Sequence, residues 1–572
     1  MHRVIFETPS GPVSAKASTG TTLLAAARSY GVLIEAPCNG SGSCGKCKVK
    51  VDAPSHLRGQ DGHRLELGEE TLGWVLACSA EIYGDVIVEV PDATEEGLQI
   101  LDGGHSVSVE IAPWIRKRLD GNRTNVLAGG QPWLEEEGDT THELWGLVVD
   151  IGTTTLVASL VDLLTGIEAA SESALNPQAL HAQDVLSRIH LGSSPEGLEL
   201  LQGELIQELN RLVTLLAAKV GISTRRIYEA VLSGNTTMLH LAAGVDPAPL
   251  GQFPYTPSLS GTQHLLARDL GLSLNSEALV YLPPILSAYV GADITSGILA
   301  TRLDQVKGVT LFVDIGTNGE MVLAVDGGLA ATSTAAGPAF EGMNITFGMR
   351  AARGAIEGFM VEEDNIVVKT IGNADPQGLC GSGLLDLVGE LAYTGVLGSS
   401  GRFVKHHPDP LLEERLEAVD GKTIFRVAGP VLLTQKDVRQ VQLAKGAVRA
   451  GIELLLKSEG LNSADVDRVL IAGSFGYHLR TRSLVNLGLL PPKFTDRVEF
   501  VGNTSKTGGR AFLLNASLRS QMSELAAGVT IVELANDPAF ERTFVAALAF
   551  PVPLREESPP KAPNQDRLFS NP

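Results

Sequence analysis

The sequence lacks both an excess of positive charge and any long apolar run. Lys and Arg number 45 against 66 Asp and Glu, for a formal net charge of −21, which disfavours binding to phosphate backbones and anionic lipid. Aromatic residues make up only 5% of the chain, too few for platforms that stack nucleic-acid bases. The apolar stretch from Val280 to Val290 is interrupted by Pro283 and Pro284. We therefore expect no nucleic-acid partner and no membrane-spanning helix.

Cysteine is also scarce. Only five Cys occur in 572 residues, and four of them lie within the first 80, which argues against a disulfide framework. The segment Met1 to Glu7 has no apolar core of a signal peptide, so a cytoplasmic location is expected. The length, with 44% hydrophobic residues, predicts a multidomain protein with several packed cores.

Four of the cysteines are spaced as ligands of an iron-sulfur cluster. Their pattern is C-x5-C-x2-C-x30-C, formed by Cys38, Cys44, Cys47 and Cys78. Plant-type [2Fe-2S] proteins have C-x4-C-x2-C and a distant fourth Cys, so the first gap here is one residue longer. Glycines between the thiolates let backbone N–H groups turn toward an anionic cluster. Structural zinc usually takes two C-x2-C pairs, and only one is present, so a [2Fe-2S] cluster is favoured.

The residues around these cysteines alternate in the way that a small sheet requires. Arg3–Glu7 and Val13–Lys16 resemble paired strands, Thr21–Tyr30 a helix, and Lys48–Val51 and Val86–Val90 two further strands. We predict an α+β β-grasp ferredoxin domain over residues 1–91.

The glycine-rich cysteine loop also matches G-x-G-x-x-G and nearly matches a P-loop. Both motifs need a helix directly after them to hold a phosphate. A strand pattern follows Cys47 instead, so neither phosphate motif is expected to function here.

Two segments are poor in core residues. Residues 92–143 are polar and rich in turn residues, which predicts a linker and shortened middle segment. Within them Ser106–Leu119 could form one strand or short helix that docks on a neighbour. The Pro-rich, charged end, residues 551–572, predicts a disordered tail.

The strongest signal in the long remainder is an internal repeat. Asp150-Ile-Gly-Thr-Thr-Thr and Asp314-Ile-Gly-Thr-Asn-Gly each follow an apolar strand and precede another, which predicts two strand-turn-strand hairpins. Such a turn directs backbone N–H groups and Thr hydroxyls at an anion, and the Asp can hold Mg²⁺ or its waters. One hairpin alone is an ordinary turn, but two facing copies form a clamp. The predicted phosphate-binding residues are Gly152, Thr153, Thr154, Thr155, Gly316, Thr317, Asn318 and Gly319.

A third motif follows late in the chain. The apolar strand Val469–Ala472 ends in a G-x-x-G turn, and a long helical pattern over Asp437–Lys457 precedes it. Thr434-Gln-Lys-Asp437 is a capping box at the start of that helix. The three motifs together resemble the actin, heat-shock chaperone and sugar-kinase superfamily. The resemblance implies an α/β duplicated ribonuclease-H-like ATPase domain over residues 144–550, with halves of about 144–305 and 306–550. It places adenosine at Gly473, Ser474, Phe475 and Gly476.

Weaker features lie between these motifs. Ser233–Thr237 either approaches a nucleotide through Asn235 or caps the helix that follows. The glycine-rich loops that start at Gly337 (Gly-Pro-Ala-Phe-Glu341) and at Cys380 could line the cleft. We expect Cys380 itself to be a small buried residue and not a ligand.

A ferredoxin loop joined to an actin-like ATPase resembles the reductive activators of corrinoid proteins. The resemblance implies ATP-driven transfer of one electron from the cluster to Co(II), giving Co(I) in a corrinoid protein of a methyltransferase system. It implies an upstream low-potential electron donor as well, and a homodimer is compatible with it. Asp150 and Asp314 would be the catalytic residues that hold magnesium and orient the attacking water. The short polar segment 92–143 departs from the family, which has a full middle domain.

Two other functions stay open. The chain could drive electrons into another low-potential enzyme, although clusters that bridge a dimer need fewer than four Cys per chain. It could also be a redox-sensing, nucleotide-binding regulator without turnover. Stimulation of ATP hydrolysis by a Co(II) corrinoid protein separates these functions.

Overall fold

The computed structural model describes residues 1–8, 11–30, 32, 34, 47–59, 65, 73–90, 109–362, 365–419, 421–473, 479–534 and 537–551. Cys38, Cys44, Ser474, Phe475 and Gly476 lie outside these ranges, as do residues 92–108 and the predicted tail from residue 552 onward. No helix within the described ranges combines the length and hydropathy needed to span a membrane.

The N-terminal domain is built on a five-stranded mixed sheet with strand order β2-β1-β7-β3-β5. β1 pairs antiparallel with β2 and parallel with β7. The side chains of Val4, Phe6 and Val88 are buried in one core with Leu23 of the helix. This arrangement confirms the predicted β-grasp ferredoxin domain. Its elements are β1 (His2–Thr8), β2 (Gly11–Ala17), α1 (Leu23–Ser29), β3 (Lys48–Val51), β4 (Leu57–Arg58), β5 (Trp74–Leu76), β6 (Glu81–Ile82) and β7 (Val86–Glu89).

Residues 109–143 form a small sheet, so the predicted linker is wrong for this part of 92–143. Three antiparallel strands, in the order β10-β9-β8, are β8 (Ile115–Asp120), β9 (Arg123–Ala128) and β10 (Gln131–Glu137). Only a few side chains of the sheet, such as Ile115 and Val126, are fully buried, which explains the polar sequence. Lys117 Nζ donates to Glu136 Oε2 at 2.7 Å and to Tyr228 Oη at 2.7 Å, which ties the sheet to the domain that follows.

The first half of the next domain contains a six-stranded sheet with the order β13-β12-β11-β14-β16-β15. The first three strands form an antiparallel meander, whereas β14 runs parallel to β11 and β16 parallel to β14. Helix α3 begins at the N-cap Ser194 and covers one face of the sheet with a row of buried leucines. The elements are β11 (Trp145–Ile151), β12 (Thr155–Asp162), β13 (Glu168–Leu175), α2 (Val185–Gly192), α3 (Pro195–Val220), β14 (Ile227–Gly234), α4 (Thr236–Ala243), β15 (His264–Leu266), β16 (Leu279–Tyr281) and α5 (Ala292–Thr301).

The second half repeats this plan with the sheet order β27-β26-β17-β18-β19-β28. Its main elements are β17 (Val309–Ile315), β18 (Gly319–Val325), β19 (Gly328–Thr334), α8 (Gln435–Ser458), β26 (Arg468–Ala472), α9 (Thr481–Asn486), β27 (Val498–Gly502), α10 (Thr504–Leu514), α11 (Ser517–Ala527), β28 (Thr530–Ile531) and α12 (Phe540–Ala547). Insertions add β20 (Ala355–Val361), β21 (Ile366–Thr370), β22 (Gly378–Leu379), α6 (Gly381–Thr394), α7 (Pro410–Glu413), β23 (Leu416–Val419), β24 (Lys422–Ala428) and β25 (Val431–Leu433). The capping box of Thr434 and Asp437 starts α8, as predicted.

Strand order shows that the two halves are copies of one unit. The order β13-β12-β11-β14-β16 in the first sheet corresponds to β19-β18-β17-β26-β27 in the second. This duplication confirms the ribonuclease-H-like, actin-like fold. β11 and β17 occupy equivalent central positions, so their carboxyl ends, Asp150 and Asp314, occupy equivalent places in the two halves.

Helices α5 and α10 pack closely where the halves meet. A Cβ on Gly508 of α10 would lie 2.0 Å from the carbonyl oxygen of Ser296 in α5, and one on Gly297 would lie 2.8 Å from the Phe312 ring. Only glycine permits such an approach. The contact brings the N-terminus of each helix to the cleft between the sheets.

Candidate functional site

The two Gly-Thr turns face each other across this cleft. Thr154 Oγ1 and Thr317 Oγ1 are 3.5 Å apart although they are separated by 163 residues. Each turn is closed by a backbone bond from its glycine, from Gly152 N to Thr155 O in the first and from Gly316 N to Asn318 O in the second. The structure thus brings the two sequence repeats together. Of the predicted residues, those that line the shared cavity are Asp150, Gly152, Thr153, Thr154, Thr155, Asn235, Asp314, Gly316, Thr317, Asn318 and Gly473.

Two predicted residues lie behind the cavity lining. A Cβ on Gly319 would lie 2.9 Å from Thr334 Oγ1 and 2.9 Å from Val448 Cγ2, so this glycine faces the core. Gly337 N donates to the carbonyl of Thr317 at 2.9 Å. Both glycines support the second turn from behind.

The first turn is fixed by a buried arginine that sequence reasoning missed. Arg188 Nη2 donates to Thr153 O at 2.6 Å, and its Nε donates to Ala182 O at 2.9 Å. Burial lowers the pKa of this guanidinium to about 9. Arg188 belongs to α2 and is far from the motif in sequence, and a lone arginine on a short amphipathic helix gives no recognisable signal.

Asn235 caps α4, which is one of the two roles considered for it, and it also lines the cavity. Its Oδ1 accepts from Met238 N at 3.0 Å as the N-cap of α4, and its Nδ2 donates to Thr153 Oγ1 at 3.0 Å. One amide therefore joins the end of β14 to the first turn.

Four carboxyl groups gather on the floor of the cavity. Asp150 and Asp314 are the next-to-last residues of β11 and β17, Asp293 is the second residue of α5, and Glu320 follows the second turn. Asp150 accepts hydrogen bonds from Asn503 Nδ2 and Ser505 Oγ, both at 2.8 Å. The end of β11 in the first half is thereby joined to the start of α10 in the second.

Burial and mutual repulsion hold these groups toward their neutral forms. Burial, with repulsion from Asp293 and Asp150, raises the pKa of Asp314 to about 8. Burial and the charge of Asp150 raise the pKa of Asp293 to about 7. The pKa of Glu320 is raised by burial and by both Asp293 and Asp314. Such a site gains stability from a cation.

The carboxylates suit a hydrated magnesium ion better than a closed metal cage. Among the described residues, no three His, Cys, Asp or Glu side chains are placed to ligate one ion together. Mg²⁺ keeps several waters and binds through one or two carboxylates plus substrate phosphates. Asp150 and Asp314 beside the two turns fit that requirement.

The sequence analysis identified neither Asp293 nor Asn503, although Asn503 lies in a recognisable sequence motif. Gly502-Asn503-Thr-Ser repeats the pattern of Gly234-Asn235-Thr-Thr, with a strand ending in Gly and an Asn that caps the next helix. A search for a second repeat would have found it. Asp293 follows a glycine at the start of α5, without a comparable pattern.

The iron-sulfur ligands are described only in part. Cys78 N donates to Cys47 Sγ at 3.4 Å, so these two predicted ligands are adjacent although 31 residues separate them. Cys47 is fully buried. Cys380 is 2% exposed and its thiol donates to Ile356 O, as expected for a small buried residue, and burial raises the pKa of this thiol.

Comparison with known families accounts for most of the chain. Residues 6–83 match the 2Fe-2S iron-sulfur cluster binding domain. Residues 145–306 match the RACo middle region, and residues 308–559 match the C-terminal domain of RACo, the ASKHA domain. The middle-region model therefore falls on the first half of the duplicated domain and not on residues 92–143.

Individual proteins are similar to this chain over most of its length. The corrinoid activation enzyme RamQ of Eubacterium limosum is 34% identical over 445 residues, which are 75% of this chain and 74% of RamQ. The [Co(II) methylated amine-specific corrinoid protein] reductase of Methanosarcina barkeri is 24% identical over 434 residues, covering 71% of this chain and 77% of the reductase. A solved reductive activator for corrinoid, iron-sulfur protein superposes with a TM-score of 0.72 at 30% identity, over 96% of this chain and 99% of that one. With the cysteine loop and the paired Gly-Thr turns, these matches show that the chain belongs to the family of reductive activators of corrinoid proteins.

Proposed function

We propose that this protein reactivates a corrinoid protein by passing one electron from a [2Fe-2S] cluster to Co(II), giving Co(I), with ATP binding and hydrolysis as the driving process. The observation that carries the proposal is the approach of Thr154 and Thr317 to 3.5 Å beside the paired strand-end carboxylates. A site of this kind can hold a triphosphate between two halves of one domain. The cytoplasm is the proposed location.

The residues of the cleft have separable roles in this proposal. The N–H groups and hydroxyls of the two turns bind phosphate oxygens, and Arg188 holds the first turn in place through Thr153 O. Asp150 and Asp314 would hold magnesium through its waters, and the ion would supply positive charge against the phosphates. Gly473 begins the turn proposed for adenosine.

The four cysteines would hold the cluster, which supplies a low-potential electron. The transfer is uphill, since plant-type clusters lie near about −400 mV, and a cobalt couple lower by roughly 0.1 V costs about 2.3 kcal/mol. The coupling free energy between two binding sites in one protein is typically about 1 to 3 kcal/mol. Closure of the cleft around ATP can therefore offset the cost if it favours the complex that contains reduced cobalt.

Asp150 links the phosphate-binding cleft to the contact between the two halves of the domain. Its carboxylate joins β11 to the first residues of α10 through Asn503 and Ser505, and α10 packs on α5 through Gly508. A cation at Asp150 competes for the same oxygens. Nucleotide binding can thus change the contact between the halves.

The test is ATP hydrolysis with and without a Co(II) corrinoid protein. We expect the partner to stimulate hydrolysis in the wild-type chain, and Asp314→Asn to lose hydrolysis while keeping its cluster absorbance. An unchanged rate would contradict the proposal and favour a redox-sensing regulator. Stimulation only by a different low-potential enzyme would favour the other electron-donor function.

A further inference from the structure

Glu341 lies one hydrogen bond away from the point where the two turns meet. Its Oε1 accepts from Thr317 Oγ1 at 2.7 Å, and the same Thr317 oxygen is 3.5 Å from Thr154 Oγ1. The residue ends the short 3-10 turn 338–341, where the neighbouring Phe340 is fully buried. Glu341 also lines the cavity. Its position is therefore fixed beside the two turns that we propose bind the phosphates.

The second oxygen of this carboxylate is unused. Glu341 Oε2 is buried and has no hydrogen-bond partner among the residues that the structure describes. A buried acceptor without a donor is costly, and most such atoms are paired with protein or ordered water. Because Oε1 is already engaged by Thr317, Oε2 is the oxygen of Glu341 left to accept from a water in the cavity that this residue lines.

Glu341 combines a cationic neighbour with a free oxygen, which neither Asp150 nor Glu320 does. The guanidinium of Arg188, from the opposite half, is near enough for its charge to be stabilised by Glu341. Glu320 instead lies opposite Asp314 in the β17–β18 pair and accepts a bond from Asn318 Nδ2 at 3.0 Å. Asp150 has both oxygens occupied. Glu341 alone among these three combines a cationic neighbour with a free oxygen at the cavity.

We propose that Glu341 is the catalytic base that orients and deprotonates the water attacking the terminal phosphate of ATP. The proposal rests on the proposed ATP hydrolysis and adds the residue that carries out the proton transfer. The water oxygen bonds to the γ-phosphorus as the bond from that phosphorus to the β,γ-bridging oxygen breaks. One water proton passes to Glu341 and then to solvent, which leaves ADP and inorganic phosphate.

The decisive variant is Glu341→Gln in the full chain with its cluster. Gln keeps an oxygen for Thr317 Oγ1 but cannot accept the proton. Loss of a general base typically costs about 10² to 10⁴-fold in rate. We therefore expect kcat for ATP hydrolysis to fall by about 10²-fold or more, while the Kd of Mg·ATP in calorimetry stays within about 3-fold. Glu417→Gln, on the hairpin β23–β24 and not among the residues that line the cavity, is the matched control and should keep wild-type rates.

The outcomes can be assigned without ambiguity. Hydrolysis by Glu341→Gln within about 3-fold of wild type, or loss of nucleotide binding together with hydrolysis, would overturn the role of base. Failure of the wild-type chain to bind Mg·ATP would instead refute the proposed function. If Glu341→Gln does not fold, Glu341→Asp decides the question, because a shorter carboxylate should bind ATP normally and hydrolyse it slowly but measurably. Wild-type turnover by Glu341→Asp, or none at all despite normal binding, would contradict the proposal.

Discussion

Replacing Asp314 with Asn should stabilise the nucleotide-free protein at the same time as it removes ATP hydrolysis. The folded protein raises the pKa of Asp314 to about 8 from its ordinary value of 3.8 through burial and the charges of Asp293 and Asp150. Between about pH 4 and pH 8 the folded state thus binds more protons at this site than the unfolded chain. Stability therefore falls as pH rises through that window, and a neutral Asn removes the dependence.

The size of the effect follows from the two pKa values. At pH 7 the gap from 3.8 is about three units, which at about 1.4 kcal/mol per unit is about 4 kcal/mol. Water still reaches the carboxylate in the cleft, so we expect about half of this, about 2 kcal/mol, to be measurable. For a unit of roughly 150 to 250 residues, the size of the half that contains Asp314, that is about 4 to 8 °C in Tm.

The assay is scanning calorimetry at pH 6, 7 and 8 with EDTA and no nucleotide. The Tm of Asp314→Asn should exceed that of wild type, and the difference should be largest at pH 8. When Mg·ATP is added and stabilises only the wild-type protein, this difference in Tm should shrink or change sign. Asp120→Asn, on the exposed end of β8, serves as the control and should match wild type. An Asp314→Asn protein that is no more stable than wild type at pH 8 would refute this account of the carboxyl cluster.

Three further substitutions test other parts of the structure. Cys78→Ser should abolish the cluster absorbance after anaerobic reconstitution but leave the Kd of Mg·ATP unchanged, and retained colour would remove Cys78 from the ligand set. Arg188→Met leaves the carbonyls of Thr153 and Ala182 without their donor. Calorimetry should therefore show about 10-fold weaker ATP binding, which corresponds to about 1.4 kcal/mol. An affinity equal to that of wild type would contradict the positioning role of Arg188. Gly508→Val overpacks the α5–α10 contact and should cost about 1 to 3 kcal/mol in unfolding free energy. Gly203→Ala in α3, which has open space around it, should be neutral or slightly stabilising, and equal effects at both glycines would contradict the packing argument.

The domain architecture was predictable because its signals are local and repeated. Three of the four cysteines lie within ten consecutive residues, the alternation in β1, β2 and β7 is confined to single short strands, and the D-I-G-T hairpin occurs twice. Residues 109–143 were not predictable, because a small sheet that buries few side chains has nearly the composition of a linker. Its stability comes from contacts such as Lys117 with Tyr228, which are invisible in the local sequence.

The candidate site was predictable where residues belong to the repeated turns, and at Asn235 and Gly473, which directly follow apolar strands. Asp150 and Asp314 were identified because each copy supports the other. Asp293 reaches the cavity from α5, and Arg188 holds the first turn from α2; both roles depend on tertiary packing that the local sequence does not show. Glu341 lay in a glycine-rich loop already suspected of lining the cleft, but its unpaired oxygen is a property of the folded chain.

The most direct test of the central claim is the formation of Co(I) in a corrinoid protein mixed with this chain. The chain is first reduced until its cluster is fully reduced, and the Co(II) partner is then added anaerobically with or without Mg·ATP. We predict that Co(I) absorbance increases only with Mg·ATP, together with loss of the reduced-cluster signal in electron paramagnetic resonance. Equal formation of Co(I) without nucleotide, or loss of the cluster signal without any Co(I), would contradict ATP-driven reductive activation.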